Sequence, residues 1–380
     1  MIKRNISVLL LFLCTIFTNA AQYSVRYLTS ADGLSNSSVT AMFQDSQGIV
    51  WMGTWDGLNC WNGRWFKSFV PDPSDPASIC NNVIREIGED NEGHIWVSTD
   101  RGIDRYDPFQ GVFTHYFTEE AKHVESEQAF HLCFDYGMVC ASVDGKGVYR
   151  YENGSFVLLQ NYPWKINRFM VSLDGIPFIC TKDSRLIQGE NKDIASGVKD
   201  IFRIGSYIAF QRNGSSVLES VAPVSGTRHK MDVNGVVNAV SQYEDGILLA
   251  TSTGLYRFED VDATAETVLS GMPVLAVYAA SQDIIWAGTD MRGVAQIIPA
   301  RDEFTTVTDI FGGSAVRCFA QDDEGLLYVG TKGSGIFVFS QSGDLVKIIT
   351  TANGLPDNSV YSLASHNGYI WAGTDGVGIA

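Results

Sequence analysis

Residues 48–66 read GIVWMGTWDGLNCWNGRWF and contain four of the eight tryptophans in this 380-residue chain. The segment IVWMGTWDGL (49–58) returns strongly as HIWVSTDRGI (94–103), IIWAGTDMRGV (284–294), LLYVGTKGSGI (326–336) and YIWAGTDGVGI (369–379). Weaker copies are MVCASVDGKGV (138–148), IPFICTKDSRLI (176–187), SYIAFQRNGSSV (206–217) and ILLATSTGL (247–255). The units recur about every 40 residues, which is the length of a four-stranded propeller blade.

Each unit also has the strand pattern of a blade. An alternating segment such as SVTAMFQD (38–45) leads through a polar turn to the W-x-G-T strand, and two further short strands follow. Alternation with a period of two, punctuated by Gly-containing turns, is typical of β-hairpins. The sequence therefore predicts an all-β fold, a β-propeller of four-stranded blades. Eight units precede residue 345, but the eroded region 182–250 could hold one long blade instead of two, so both seven and eight blades stay open.

Two similar segments predict the domain limits. YSVRYLTSADGLSNSSV (23–39) resembles LVKIITTANGLPDNSV (345–360), and both have the pattern of a fourth strand that leads into a new first strand. Propellers often close by adding an N-terminal strand to the last blade, which removes free sheet edges. We therefore expect a propeller over residues 22–345 and the first, incomplete blade of a second propeller over 346–380.

The N-terminus has the layout of a secretory signal peptide. Lys3 and Arg4 precede an apolar run at residues 6–17, and small residues follow at Ala20 and Ala21. Twelve apolar residues are too few to span a bilayer of about 30 Å as a helix. We expect residues 1–21 to be removed and the mature chain, which has no membrane segment, to be periplasmic.

The composition limits the partners. Lys and Arg total 27 against 43 Asp and Glu, for a formal charge of −16. Such a charge repels phosphate backbones, so no nucleic-acid partner is expected. The glycine-rich stretches coincide with the turns of the repeat, so they predict no phosphate site and no cofactor.

One cysteine pair is a candidate disulfide. A tight turn at Tyr136 and Gly137 would place Cys133 opposite Cys140 on neighbouring strands, where an oxidising compartment could bridge them. The alternative is that both are small apolar residues on sheet faces, and the sequence leaves that choice open.

The units D-x-x-G-x-[IL]-W-x-G-T-x-x-G-[LI], with the lead-ins T-x-A-[DN]-G-L, resemble the two-component regulator propeller family. That resemblance covers most of residues 23–380 and implies the periplasmic sensor region of a hybrid two-component histidine kinase. Family members usually carry two seven-bladed propellers, then a β-sandwich, a transmembrane helix and kinase, receiver and DNA-binding parts. The resemblance to this family therefore implies sensing without kinase activity in this chain, and it implies oligosaccharides or glycan breakdown products as ligands.

The repeat explains most of the aromatic residues. The expected scaffold residues share the slot of the repeated tryptophan: Trp51, Trp96, Trp286, Tyr328 and Trp371. Trp61 aligns with aromatic residues on other third strands, and Trp65 aligns with Phe156 on a fourth strand. Trp55 has no aromatic counterpart, so it could stack on a sugar ring or be an incidental surface residue.

The loops between second and third strands define what we call the upper face, which also carries the connections between blades. Besides Trp55, the candidate ligand residues there are Asp56, Asp100, Arg101, Asp144, Lys146, Lys182, Arg185, Asp290, Arg292 and Lys332. They could bind hydroxyl or carboxylate groups of a saccharide, or they could form an ordinary solvated surface.

No catalytic residue and no metal site are predicted. The acidic turns DNEG (90–93) and DDEG (322–325) lack the long liganding loop of a calcium site. The six histidines show no second catalytic group at a recognisable spacing, although the repeats also resemble streptogramin lyase propellers distantly. Besides a small ligand, the alternatives are a protein-interaction platform, including a homodimer, and a propeller lyase or hydrolase.

Overall fold

The computed structural model describes residues 23–123, 128–135, 137–172, 175–259, 264–281, 284–299, 310–376 and 378–380. The predicted signal peptide at 1–21 lies outside these residues. The chain divides into two compact units, residues 1–300 and 301–380.

Four-stranded antiparallel sheets make up the first unit. The N-terminal strand is β1 (Tyr23–Leu28). Blade 1 comprises β2 (Val39–Gln44), β3 (Val50–Thr54), β4 (Gly57–Trp61) and β5 (Phe66–Phe69). Blade 2 comprises β6 (Ile84–Glu89), β7 (Ile95–Thr99), β8 (Gly102–Asp107) and β9 (Val112–Tyr116), followed by the short helix α1 (Thr118–Ala121). Blade 3 comprises β10 (Phe130–Asp135), β11 (Met138–Val143), β12 (Gly147–Glu152) and β13 (Ser155–Gln160).

The remaining blades follow the same order. Blade 4 comprises β14 (Ile166–Val171), β15 (Pro177–Thr181), β16 (Arg185–Gln188) and β17 (Lys192–Ser196). Blade 5 comprises β18 (Val198–Ile204), β19 (Tyr207–Arg212), β20 (Val217–Val221) and β21 (Arg228–Asp232). Blade 6 comprises β22 (Val237–Tyr243), β23 (Gly246–Thr251), β24 (Gly254–Phe258) and β25 (Glu266–Ser270). Blade 7 comprises β26 (Val274–Ser281), β27 (Ile284–Thr289) and β28 (Val294–Pro299), with β1 as its outer strand.

The first unit is a closed seven-bladed propeller. First strands of successive blades contact each other around the ring, and β26 of blade 7 contacts β2 of blade 1. β1 pairs antiparallel with β28, from Tyr23 opposite Pro299 to Leu28 opposite Val294. The prediction of an all-β propeller closed by its N-terminal strand is therefore confirmed.

The predicted boundary at residue 345 is wrong, because the ring closes at 294–299. The eroded region does hold separate blades, as the count of eight units assumed. The eighth unit, however, belongs to the second compact unit, which contains β29 (Val316–Gln321), β30 (Leu327–Thr331), β31 (Ile336–Phe339) and β32 (Leu345–Ile349), then β33 (Val360–His366), β34 (Tyr369–Thr374) and β35 (Gly378–Ile379). That these strands begin a second propeller stays a prediction.

A shared turn explains why the two lead-ins look alike. Thr29 caps a 3-10 turn at Ser30–Asp32, and Thr350 caps an equivalent turn at Thr351–Asn353; each turn ends at a glycine with positive φ. This turn joins β1, the outer strand of blade 7, to β2, and its second copy joins β32 to β33 within the second compact unit. It therefore marks a blade boundary and does not mark where a ring closes.

The repeated tryptophan lies between blades as a scaffold residue. Trp51, Trp96 and Trp286 are buried, whereas Trp371, on the three-stranded sheet β33–β35, is 51% exposed. The aspartate of D-x-x-G accepts a hydrogen bond from the indole of the same unit, at 2.7 Å from Trp51 to Asp45 and 2.8 Å from Trp96 to Asp90.

Cys133 lies directly opposite Cys140 in the ladder between β10 and β11, and both are buried. The expected register is therefore present. A disulfide between them stays a prediction, which a thiol count before and after reduction of the unfolded protein would test.

Leu28→Ala should lower the free energy of unfolding by about 2–5 kcal/mol, because Leu28 is fully buried where the ring closes. Val25→Ala on the same strand is the matched control; Val25 is 37% exposed, and its loss should cost less than about 1 kcal/mol. Urea denaturation of both variants measures the difference. Equal, small effects would contradict closure by β1.

Candidate functional site

The predicted ligand residues do occupy the loops between second and third strands, but they do not all share one site. Lys332 belongs to the second compact unit, where its backbone forms an isolated antiparallel β-bridge with Ser359. The other ten lie on the upper face of the propeller, in blades 1, 2, 3, 4 and 7.

Trp55 is covered on one side by an arginine that the sequence analysis did not single out. The guanidinium of Arg85 lies 4.7 Å from the centroid of the Trp55 ring. The same guanidinium donates two hydrogen bonds to Asp100, at 2.9 and 3.0 Å. Trp55 stays 43% exposed, but its cation–π contact holds it against blade 2, and this favours an inter-blade role.

The carboxylates of the upper face mostly join blades. Asp144 pairs with Lys182 at 2.8 Å and accepts a hydrogen bond from the Ile166 backbone at 2.7 Å. Further cross-blade contacts run from Asn82 to Asp56 at 3.1 Å and from Ser38 to Asp290 at 2.8 Å. Groups that hold neighbouring blades together are poorly placed to exchange partners for a ligand.

The cations of this face are partly neutralised as well. Lys146 pairs with Glu120 at 3.2 Å. Arg185 pairs with Asp183 at 3.1 Å, and its guanidinium lies 5.0 Å from the Trp164 ring centroid. Arg101 and Arg292 are exposed, and their backbone N–H groups bond the threonine of their own W-x-G-T strand.

A second polar cluster lines the central channel, on the first strands of blades 2–5. The Glu86 carboxylate lies 3.2 Å from Nδ1 of His131 and accepts hydrogen bonds from Ser98 at 2.6 Å and the Leu132 backbone at 2.7 Å. Burial raises the pKa of Glu86, but His131, Arg168 and Ser98 outweigh it, so its pKa lies below the ordinary value.

The channel cluster is held by the protein's own groups. His131 Nε2 lies 3.1 and 3.0 Å from the carbonyls of Gln128 and Ile166, and Arg168 donates to Asp200 at 2.9 Å. Glu86 and Arg168 contribute to a cavity of about 360 Å³. Both ring nitrogens of His131 are engaged, so this histidine is not free to transfer a proton to or from a substrate. The arrangement instead stabilises the packing of the first strands around the channel.

The residues Cys80, Asp104 and His115 form the one group, within the described ranges, whose potential metal ligand atoms all lie within 4.8 Å of one another. Asp104 accepts a hydrogen bond from the Cys80 backbone at 2.8 Å and lies 2.6 Å from His115 Nδ1. His115 Nε2 lies 2.9 Å from the Pro76 carbonyl.

Blade 1 repeats this pattern without metal-binding side chains. Asn59 accepts hydrogen bonds from the Ser35 backbone at 3.0 Å and from Ser68 at 2.7 Å. Asn59 and Asp104 both occupy the third residue of a third strand. Hydrogen bonding between a blade and its incoming loop therefore accounts for both clusters, and the absence of a metal stays a prediction.

The Asp104 carboxylate and the Pro76 carbonyl next to the two ring nitrogens of His115 are both hydrogen-bond acceptors, so they favour the imidazolium form, in which both nitrogens donate. Its pKa is raised, mainly by the hydrogen bond to Asp104 and against the effect of burial. The stabilisation from this pair should therefore be complete below the ordinary pKa of 6.5 and should be lost as the pH rises through the higher folded pKa.

We accordingly expect the melting temperature of the wild type to fall more between pH 6 and pH 9 than that of His115→Gln, which cannot titrate there. Melting curves of both proteins across this range provide the measurement. Parallel pH profiles would mean that His115 is neutral in the folded state.

The sequence analysis missed a cleft on the opposite side, which we call the lower face and which carries the turns joining first to second and third to fourth strands. The cleft lies between blades 1 and 2 and has a volume of about 540 Å³. Trp51, Phe69 and Tyr106 contribute aromatic surface from both blades, and Trp65 and Phe109 lie at its edges with exposures of 55% and 93%.

The register corrects the alignment of Trp65 with Phe156. Phe66 pairs with Trp61 across β4 and β5, and Phe156 pairs with Tyr151 across β12 and β13. Phe66 therefore occupies the repeat position, and Trp65 precedes the strand. A register shift of one residue moves every side chain of a strand to the opposite face of the sheet. The sequence alone does not give this register, so it could not distinguish Trp65 from the scaffold residues.

Three stretches of the chain, residues 33–56, 78–101 and 354–376, match the family described as Two component regulator propeller. The first two matches lie in blades 1 and 2 of the propeller, and the third lies in the second compact unit. Over 81 residues it is 42% identical to histidine kinase P4 of Formosa agariphila, a stretch that covers 20% of this chain and 6% of that kinase.

Solved structures share the fold. The extracellular domain of a putative hybrid two component system from B. thetaiotaomicron aligns with 94% of this chain, at 15% identity and a TM-score of 0.56. The chain spans 52% of that domain. A catalytically inactive virginiamycin B lyase from Staphylococcus aureus, solved with quinupristin, aligns with 73% of this chain and 99% of its own length, at 11% identity and a TM-score of 0.55.

Among the described residues, no helix is both long enough and apolar enough to cross a membrane.

Proposed function

We propose that this chain is the ligand-binding sensor region of an extracytoplasmic two-component signalling protein, and that it detects oligosaccharides or related glycan breakdown products. The observation that carries the proposal is the set of regulator repeats, supported by the local identity to a histidine kinase. The predicted signal peptide supports export to the periplasm. The chain covers 6% of that kinase and 52% of the extracellular domain of the hybrid two component system, so the link to a kinase belongs to the proposal.

The site chemistry favours binding over catalysis. His131, in the channel, has the Glu86 carboxylate and the Ile166 carbonyl next to its two ring nitrogens. His115, in the Cys80 cluster, likewise has a carboxylate next to one ring nitrogen and a backbone carbonyl next to the other. A general base must instead reach a substrate proton in a plausible pose. The likeness to a lyase concerns the fold, and fold alone does not transfer an activity.

Sensing also requires two states with different affinities for the ligand. A ligand that binds both states equally shifts no equilibrium, however tightly it binds. The close inter-blade contacts make the propeller a stiff body. We therefore propose that ligand binding changes the position of the whole propeller relative to a partner. The partner could be a second copy or a downstream signalling domain.

The melting temperature of the full chain should rise in the presence of a matching oligosaccharide. At a hundred times Kd the added stability is about 2.7 kcal/mol, provided that the unfolded chain does not bind. We would measure melting curves with plant, host and microbial oligosaccharides.

Two other outcomes would redirect this proposal. A stable, folded chain that no saccharide shifts, but that self-associates in sedimentation experiments, would favour an interaction platform. Conversion of a saccharide or a lactone substrate during the incubation would favour an enzyme, and replacement of the face or channel histidines would then locate its centre.

A further inference from the structure

We propose that the cleft between blades 1 and 2 on the lower face is the saccharide site, and that it takes a neutral oligosaccharide which stacks on Trp65 and Phe109. This inference rests on the proposed sensing function and adds the location and ligand class. It differs from the upper-face site that the sequence predicts.

Trp65 is the tryptophan in residues 48–66 that neither the repeat nor an inter-blade contact explains. Phe66 occupies the fourth-strand position and packs on Trp61, with ring centroids 4.7 Å apart. Trp55 is engaged by Arg85, and Trp51 is buried. Exposing more than half of a tryptophan ring beside a cavity forgoes the free energy of burying it, which points to a binding role.

Phe109 has the same setting on the neighbouring blade. It lies between β8 and β9, as Trp65 lies between β4 and β5, and the residue is 93% exposed. Both turns are held by a side chain at their start. Asn62 accepts hydrogen bonds from the backbone of Arg64 and Trp65, both at 3.0 Å, and Asp107 accepts from Phe109 at 2.8 Å and Gln110 at 3.1 Å.

These hydrogen bonds fix the backbone of both turns, so a ligand would have to order only the aromatic side chains and not the turns that carry them. Aromatic rings provide flat apolar surfaces with little rotational freedom, and the C–H faces of sugar rings match such surfaces. The volume of about 540 Å³ lies within the usual range for ligand sites.

The polar lining determines the ligand class. Asp45 is engaged by the Trp51 indole and by two backbone N–H groups, and Glu89 accepts from the backbone and hydroxyl of Ser46 at 2.8 and 2.7 Å. Lys67 lies 4.6 Å from the Phe69 ring centroid. The other polar side chains of the lining are Ser46, Gln47, Asn62, Asn91 and Glu92.

Three carboxylates against one lysine make the cleft acidic, so uronates and sulfated sugars would be repelled. The side-chain amides of Gln47 and Asn91 can donate to sugar hydroxyls and accept from them, and the Ser46 oxygen, whose hydrogen is donated to Glu89, can accept. A neutral oligosaccharide satisfies both conditions, which separates this cleft from the mixed charges of the upper face.

The test uses the full chain with Trp65→Ala, Phe109→Ala and the control Trp55→Ala. Trp55 is a tryptophan of comparable exposure on the opposite face. Calorimetric titration with neutral gluco-, xylo- and manno-oligosaccharides, and with oligogalacturonate as the charged comparison, gives Kd for each protein. We expect Trp65→Ala and Phe109→Ala each to weaken binding of a neutral saccharide about tenfold.

Trp65→Phe should recover most of the affinity, and Trp55→Ala should bind as the wild type does. Circular dichroism and melting curves establish that each variant is folded. Wild-type binding of a neutral saccharide should also quench part of the tryptophan fluorescence, and Trp65→Phe should lose that part.

Each remaining outcome overturns a different statement. If a saccharide binds and only Trp55→Ala weakens it, the cleft proposal is wrong and the sensing function stands with a site on the upper face. If oligogalacturonate binds more tightly than every neutral saccharide, the assigned ligand class is wrong. If no saccharide binds the wild type, both the cleft proposal and the saccharide-sensing function fail.

Discussion

Closure of the propeller depends on how closely blades 7, 1 and 2 approach one another at the glycine of the W-x-G-T strand in blades 7 and 1. A Cβ built on Gly53 would lie 2.5 Å from Ile84 of blade 2, and one built on Gly288 would lie 2.8 Å from Val39 of blade 1. Only glycine admits these contacts, and the second of them joins the last blade to the first. The threonine that follows donates to the carbonyl of the next turn, from Thr54 to Gly57 at 2.9 Å, and holds the strand end in place.

This close packing determines the role of the polar residues around it. Side chains at the start of first strands bond the next blade directly: Thr40 donates to the Ile84 carbonyl at 2.7 Å, and Asn238 donates to the Val274 carbonyl at 2.8 Å. Arg85 and Asp144 make the same kind of connection on the upper face. Charges that look available in the sequence are thus largely used to hold the ring, and residues outside the repeat are the better candidates for ligand contacts.

The sequence predicted the blade pattern well because each blade contains its own local signals. The acidic turn, the buried second strand and the turn glycine lie within one hairpin, so they can be recognised without knowing the neighbours. Ring closure is different, since β1 and β28 are separated by almost the whole unit and their pairing leaves no local mark. The lead-in at 345–360 was misread for this reason, because the same capped turn occurs both after β1, which closes the ring, and after β32, which does not belong to the ring.

The sequence by itself determined the all-β repeat, its period, and the scaffold role of tryptophans such as Trp51, because periodicity and short-range turn chemistry are encoded within about 40 residues. Tertiary structure alone decided where the ring closes and which surface aromatics are already engaged. Arg85 reaches Trp55 from another blade, and a one-residue register difference puts Phe66 in the sheet and leaves Trp65 at the cleft. Contacts between blades and the register of a strand depend on packing across the whole ring, and that packing is not written in any single repeat.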